Sequence, residues 1–191
     1  MAETRRDSLV DAAAGLLDQG GLAAVTLRAV GDAAGVSRNA PYRHFADKSD
    51  LLAAVASREL DQLAAAFRGD GLPGAKPNAR EVMDAYVQWA LRYPGRFRLT
   101  FGAWEGDQAE LGAATHRARE VFVDAVRRAQ AEGSMPKGNP ARIAALLLST
   151  AHGAADLTVS GHLGPPVEGR IGADELVDDL FAHLRAAAQH P

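Results

Sequence analysis

Apolar residues recur every three or four positions along the chain, and no stretch alternates apolar and polar in the two-residue rhythm of a strand. Leu9, Val10, Ala13, Leu16 and Leu17 share one helical face, and Gly20-Gly21 stops that helix. A second helix is predicted over 27–34, with Thr26 as its N-cap and Gly35 at its end. A third runs from 38 to about 44 behind Ser37 as N-cap. Pro41 falls at the fourth helical position of that element. It deletes the bond to the Ser37 carbonyl and biases Ala40 away from helical geometry, so an irregular or 3₁₀ opening is expected. Asp47 then starts a long helix, with Asp50 in the capping-box place and Leu52, Val55, Leu60, Leu63 and Phe67 as its stripe.

The stretch GDGLPGAKPN at 69–78 is a break rich in Gly and Pro. Helical pattern resumes over 79–93 and ends at Pro94-Gly95. A short aromatic-rich helix is predicted over 96–104, and another over 108–132, stopped by Gly133. A very apolar helix follows over 141–160, then the loop GHLGPPVEG, then a last helix over 173–188. The chain is therefore expected to be all-α, with about nine helices. It divides into a three-helix head, residues 1–47, and a larger helical body, residues 48–191.

Composition narrows the function classes. The 191 residues suffice for one good core or two modest ones, and 47% hydrophobic with 24% charged residues is ordinary globular usage. A net charge of −3 argues against a non-specific nucleic-acid coat, which would be basic along its length. A local patch remains open, because Arg38, Arg43 and Lys48 stand against Asp47 alone between 37 and 48. The absence of cysteine excludes disulfides, thiolate metal sites and a Cys nucleophile, and suits a reducing cytoplasm. No signal-peptide h-region and no membrane-length apolar run is present, so a cytoplasmic chain with no membrane partner is expected.

Two short capped helices joined by a tight turn have the spacing of a helix-turn-helix, whose second helix lies in the major groove of DNA. Arg38 and Asn39 open that helix, where Arg can pair bidentately with guanine and Asn with adenine. Tyr42, Arg43 and His44 follow one turn on, within reach of phosphates or flanking bases. Thr26 and Lys48 sit at helix N-termini, where backbone N–H groups can also hold a phosphate. The expected DNA-binding set is completed by Arg28, Ser37 and Ala40. Short capped helix pairs also occur in all-α proteins that never touch DNA, so spacing alone leaves both possibilities.

The segment TLRAVGDAAGVSRNAPYRHFADKSDLL carries a resemblance. With its Thr cap, Ala-Gly-Val-Ser turn, Tyr42, His44-Phe45, Lys48 and Leu51-Leu52, residues 5–52 resemble the N-terminal domain of TetR-family transcriptional regulators. The resemblance implies Tyr42 and Lys48 on phosphates and Phe45 in the core of the head. It also implies a homodimer, with one reading helix per subunit in successive major grooves of a palindromic double-stranded operator. PGRFRLTFG at 94–102 and AHGAADL at 151–157 are similar to the WHG-type C-terminal domain of some members, with Leu148 where Trp is usual.

In the body, Trp89, Tyr93, Phe97, Phe101 and Trp104 recur at helical spacing. They fit core packing, or an aromatic wall around an apolar inducer oriented by His116, Arg119, His152 and Asp156. The stripes Ile143, Leu146, Leu147, Ala151 and Leu176, Val177, Leu180, Phe181, Leu184 fit a four-helix bundle between two subunits, or inward packing within one. Several motifs are declined. Gly69 to Gly74 spells G-x-G-x-x-G, but a long helix rather than a strand precedes it, and Ala75 stands where a P-loop needs Lys. Glu105, Asp107 and Glu110 suit a helix start better than catalysis. The six histidines lack metal spacing. No catalytic residue, metal or cofactor is expected.

Overall fold

The computed structural model describes residues 4–70, 76–104, 108–163 and 171–189. Eight α-helices and one 3₁₀ turn form among them, and no strand. They are α1 (Arg5–Ala24), α2 (Leu27–Ala33), the 3₁₀ turn Pro41–Arg43, α3 (Lys48–Arg68), α4 (Ala79–Arg92), α5 (Pro94–Thr100), α6 (Ala109–Ala131), α7 (Pro140–Val159) and α8 (Ala173–Gln189).

Local chemistry sets most of the boundaries. Thr4 and Asp7 make a reciprocal capping box at α1, and helical geometry lapses at Gly20 and Gly21, where Gly21 has φ +64°. Asp47 accepts from the Asp50 amide at 2.9 Å. Asp50 returns its bond to the Ala46 amide, one residue before the place a capping box would use. Gly69 (φ +73°) closes α3, and Gly133 (φ +74°) follows α6. Asn139 caps α7 with Pro140 in its first turn. The helix expected over 96–104 instead spans Pro94–Thr100, because proline suits a first helical turn where its missing N–H has no partner to lose. Parts of two expected loops, 71–75 and 164–170, lie outside the described residues, as do Glu105 and Asp107 and most of the G-x-G-x-x-G segment.

The chain forms two compact units that cut across sequence order. The first takes the chain up to Asp61 together with Tyr93–His116, and the second takes Gln62–Arg92 and the chain from Arg117 onward. The head, expected to end at residue 47, is therefore joined in its compact unit by the first part of α3, by α5 and by the start of α6. The core of this first unit holds Leu9, Val10, Ala13 and Leu17 of α1, Val25, Val30, Phe45, Leu51 and Val55, with Phe97 and Leu99 from α5.

Charge ties α5 into the first unit. Arg96 reaches Asp18 through two bonds, at 2.6 and 3.0 Å, and Glu59 at 3.1 Å, with its guanidinium 4.4 Å from the centre of the Tyr93 ring. Glu59 is only 1% exposed. Burial lowers the Arg96 pKa, and Asp18 and Glu59 more than reverse that, leaving it raised and the guanidinium charged. Next to it, Gly95 lets the backbones close up: a Cβ there would stand 3.1 Å from the Leu17 carbonyl oxygen.

In the second unit α4, α7 and α8 pack on one another. Leu147 and Ala151 of α7, with Val177 and Phe181 of α8, are buried within this unit, so part of each stripe considered for a subunit interface is already covered inside the chain. Leu146 (51%) and Leu157 (43%) of α7 stay exposed, and Ile143, Leu176, Leu180 and Leu184 are half-buried. Arg80 meets Asp84, reaches Asp178 at 2.8 Å and lies over the Phe181 ring.

Candidate nucleic-acid interface

The turn between α2 and the 3₁₀ element is built by two glycines with different tasks. Gly35 adopts φ +66°, a left-handed conformation glycine enters without a Cβ penalty. Around it Val36 donates to the Gly31 carbonyl and Gly35 to the Asp32 carbonyl, at 3.0 and 3.2 Å, which closes α2 in a Schellman motif. Gly31 is buried and lets the next element approach, since a Cβ there would meet Pro41 Cγ at 3.2 Å. At the other end Thr26 Oγ1 accepts from the Ala29 amide at 3.1 Å, as expected of its N-cap role.

The reading element differs from the helix expected over 38–44. Only Pro41–Arg43 are helical, in 3₁₀ form, with Ala40 in the cap position and no side-chain cap bond, so Ser37 is not the N-cap it was expected to be. The cause is Pro41, which has no N–H to offer the Ser37 carbonyl. The Ala40 amide takes that carbonyl instead at 2.9 Å, an i to i+3 bond that tightens the turn. The Arg43 and His44 amides continue the pattern to Ala40 and Pro41. Buried Pro41 and buried Phe45 anchor the turn, and the Arg6 guanidinium lies 5.4 Å from the Phe45 ring centre.

Thr26, Arg28, Ser37, Arg38, Asn39, Tyr42, Arg43 and His44 are all exposed, while Ala40 and Lys48 are half-buried. Tyr42 leaves 60% of its surface in solvent, although the buried Pro41 stands next to it. Arg28, Arg38 and Arg43 have no ion-pair partner among the described residues, in contrast to Arg6, Arg58, Arg80 and Arg96. Lys48 Nζ donates to the Leu22 carbonyl at 2.6 Å, which spends one of its three N–H groups and pins the start of α3 to the end of α1. A shallow depression is lined by Arg5, Ser37, Arg43 and His44. Arg5 was absent from the sequence-derived set. Nothing in the local pattern links position 5 to position 43.

The nine residues considered for a ligand do not gather in one unit. Tyr93, Phe97, Phe101, Trp104 and His116 belong to the first, and Trp89, Arg119, His152 and Asp156 to the second. Phe97 is core and touches Phe101 with ring centres 5.7 Å apart, while His116, Arg119 and Asp156 are exposed. In the second unit His152 Nδ1 lies 2.8 Å from the hydroxyl of Tyr86, a buried residue the sequence did not single out, and the Trp89 ring centre is 6.1 Å from that of Tyr86. Burial pushes the Tyr86 hydroxyl well above the usual phenol range, so it stays protonated. Burial also lowers His152, with Asp156 opposing in part. A neutral imidazole with its proton on Nε2 leaves Nδ1 to accept from Tyr86.

The chain resembles known proteins in sequence and fold. Residues 9–55 match the family described as bacterial regulatory proteins, tetR family, and residues 79–184 match the tetracyclin repressor-like C-terminal domain. The chain is 28% identical over 98% of its length to the HTH-type transcriptional regulator Rv0681 of Mycobacterium tuberculosis, covering 83% of that protein. It is 30% identical over 58% of its length to the HTH-type transcriptional repressor Rv1474c of the same organism, covering 62% of it. A structure of a protein with unknown function from Rhodococcus sp. RHA1 superposes with TM-score 0.77 at 29% identity, over 97% of this chain and 95% of that one.

Proposed function

Since the chain belongs to the TetR family of bacterial regulatory proteins and is a DNA-binding transcriptional regulator, we propose that it is a repressor released from a palindromic operator by a small apolar or aromatic molecule. The family is one of regulators, not of enzymes. Residues 1–47 act as the DNA-binding domain, and residues 48–191 take the ligand and form the dimer. The observation that carries this reading is the row of exposed arginines, without ion-pair partners among the described residues, with Tyr42 around a turn anchored by buried Pro41 and Phe45. Arg38 and Asn39 read base edges, with Arg28, Ser37 and Ala40 beside them. Thr26, Tyr42 and Lys48 hold phosphates, and Arg43 and His44 serve either purpose, with Arg5 close by. Repression is supported by the similarity to Rv1474c, itself a repressor.

The homodimer forms through α7 and α8, using the parts of their stripes that remain uncovered, Leu146 and Ile143 with Leu176, Leu180 and Leu184, and exposed Leu157 of α7 as well. The inducer binds the body, with Tyr86, Trp89 and His152 as its apolar wall and polar anchor. The chain works in the cytoplasm, and among the described residues no helix is long and apolar enough to cross a membrane. Moving an operator from nearly full to nearly empty takes a preference of about 5.5 kcal/mol for the released state.

Gel shifts with DNA from upstream of its own gene test the proposal. A dimer complex on an inverted repeat is expected. An Arg43→Ala, Lys48→Ala protein should bind more weakly and with a shallower salt dependence, by about 0.9 in log–log slope for each phosphate no longer neutralised. Equal binding by that variant would overturn the assignment of these residues to DNA.

A further inference from the structure

The first unit carries a groove that shares only Lys48 with the proposed DNA contacts. Leu22 at the end of α1, Lys48 and Leu52 in the opening turns of α3, and Arg98, Leu99 and Trp104 in and after α5 wall a space of about 620 Å³. That is the size of a small-molecule site. Its walls are mostly apolar, and Leu22 holds 49% of its surface open to solvent although a leucine gains nothing there. Among the described residues, the charged side chains in the lining are Lys48 and Arg98, both cations, with no acidic residue beside them. Arg98 has no ion-pair or hydrogen-bond partner among the described residues, whereas Arg96 on the same helix is committed to Asp18 and Glu59. Lys48 keeps two N–H groups beyond the one it gives Leu22. The Trp104 indole N–H is buried without an acceptor, a desolvation cost that an acceptor brought by a ligand would relieve.

Two cations over apolar walls, with no carboxylate between them among the described residues, are complementary to a molecule with an acid group on a hydrocarbon body. We propose that this groove binds an amphipathic organic anion, a carboxylate or sulfonate on an aromatic or aliphatic frame. Arg98 pairs with the acid group, Lys48 supports it, and Leu22, Leu52 and Trp104 cover the hydrocarbon. All of its lining belongs to the first unit, whereas Tyr86 and His152 belong to the second. An occupant also neutralises Lys48, so it weakens operator binding; that consequence rests on the phosphate role proposed for Lys48, and binding of the anion does not.

The test uses the full chain and two fluorescent probes of nearly one shape: anilinonaphthalene sulfonate, which is anionic, and N-phenylnaphthylamine, which is uncharged. The sulfonate should bind saturably, and Arg98→Gln should weaken it about tenfold, the loss of one charge-assisted pair. The uncharged probe should change by less than about twofold in that variant. Leu22→Gln, at an exposed position that folding tolerates, should weaken both probes. Arg142→Gln on α7 should weaken neither. Equal sulfonate affinity in wild type and Arg98→Gln, or equal weakening of both probes by Arg98→Gln, overturns the site. If the sulfonate binds through Arg98 yet leaves operator affinity unchanged, the site stands and the phosphate role of Lys48 is what fails.

Discussion

Replacing Arg96 with methionine tests the energetics of the first unit most directly. The substitution keeps the length and apolar stem of the side chain and removes the charge that meets Asp18 and Glu59. Breaking a buried pair by deleting one member costs about 3–5 kcal/mol, because the remaining charge is left in a poorly solvated place. Glu59, at 1% exposure, meets that condition, while the Asp18 side chain, 30% exposed, keeps some water. The lower end, about 3 kcal/mol, is therefore expected. For a chain of this size that lowers Tm by roughly 6–12 °C. Thermal and urea unfolding followed by circular dichroism, at one protein concentration so that subunit association stays constant, measures it. Arg96→Lys should recover less than half of the loss, since an ammonium cannot hold both Asp18 oxygens in a fork and reach Glu59 as well. Arg96→Met with Glu59→Met should be more stable than Arg96→Met alone, because the buried carboxylate that lost its guanidinium is gone. A single variant within about 1 kcal/mol of wild type, or a double variant no better than the single, would refute the buried-charge account.

Other outcomes follow from single bonds. Thr26→Ala should cost about 1 kcal/mol and weaken operator binding, with Thr26→Asp restoring stability; hydrogen exchange of the α2 amides locates the loss. Gly35→Ala forces a side chain into φ +66° and should cost about 1–2 kcal/mol, with Gly35→Asn milder, both read from unfolding midpoints. Tyr86→Phe should cost about 1 kcal/mol by removing the hydrogen bond to His152. Because burial holds the His152 pKa below its unfolded value near 6.5, the unfolded chain binds the extra proton first as pH drops. The His152 contribution is therefore whole above pH 6.5 and declines as pH falls below it toward the folded value; His152→Gln should flatten that part of a stability–pH curve.

Helix boundaries were legible where one residue's chemistry decides them. Thr26 as a cap, Gly35 as a left-handed stop and Pro41 as a deleted donor act within four residues, so a linear reading reaches them. That Ser37 is not an N-cap is not legible, because the consequence of Pro41 runs further than one residue: the 3₁₀ bond to the Ser37 carbonyl removes the α-helical start that a cap would serve. The α5 start was misplaced because Pro94 reads equally well as the end of one helix and the first turn of the next. Non-local pairs were invisible. Tyr86 with His152 and Arg96 with Glu59 become neighbours, and Arg5 and Arg43 come to line one depression, only once the helices pack, and no periodicity in the chain announces them. The apolar stripes of α7 and α8 were legible as stripes, yet which of their residues turn inward depends on α4, far away in sequence.

The interleaving of the first unit has a consequence for biosynthesis. A ribosome that has released residues up to Asp61 has made α1, α2, the DNA-facing turn and most of α3, but neither Gly95 nor Arg96. Until they emerge, Glu59 and Asp18 wait without their guanidinium, and Leu17 lacks the helix that closes over its carbonyl. More than thirty residues of the second unit must be synthesised in between. The head therefore cannot finish folding as an N-terminal domain that leaves the ribosome first. A nascent chain stalled with residues up to about 70 clear of the exit tunnel should remain protease-sensitive in α1, and one stalled after α5 has cleared the tunnel should not.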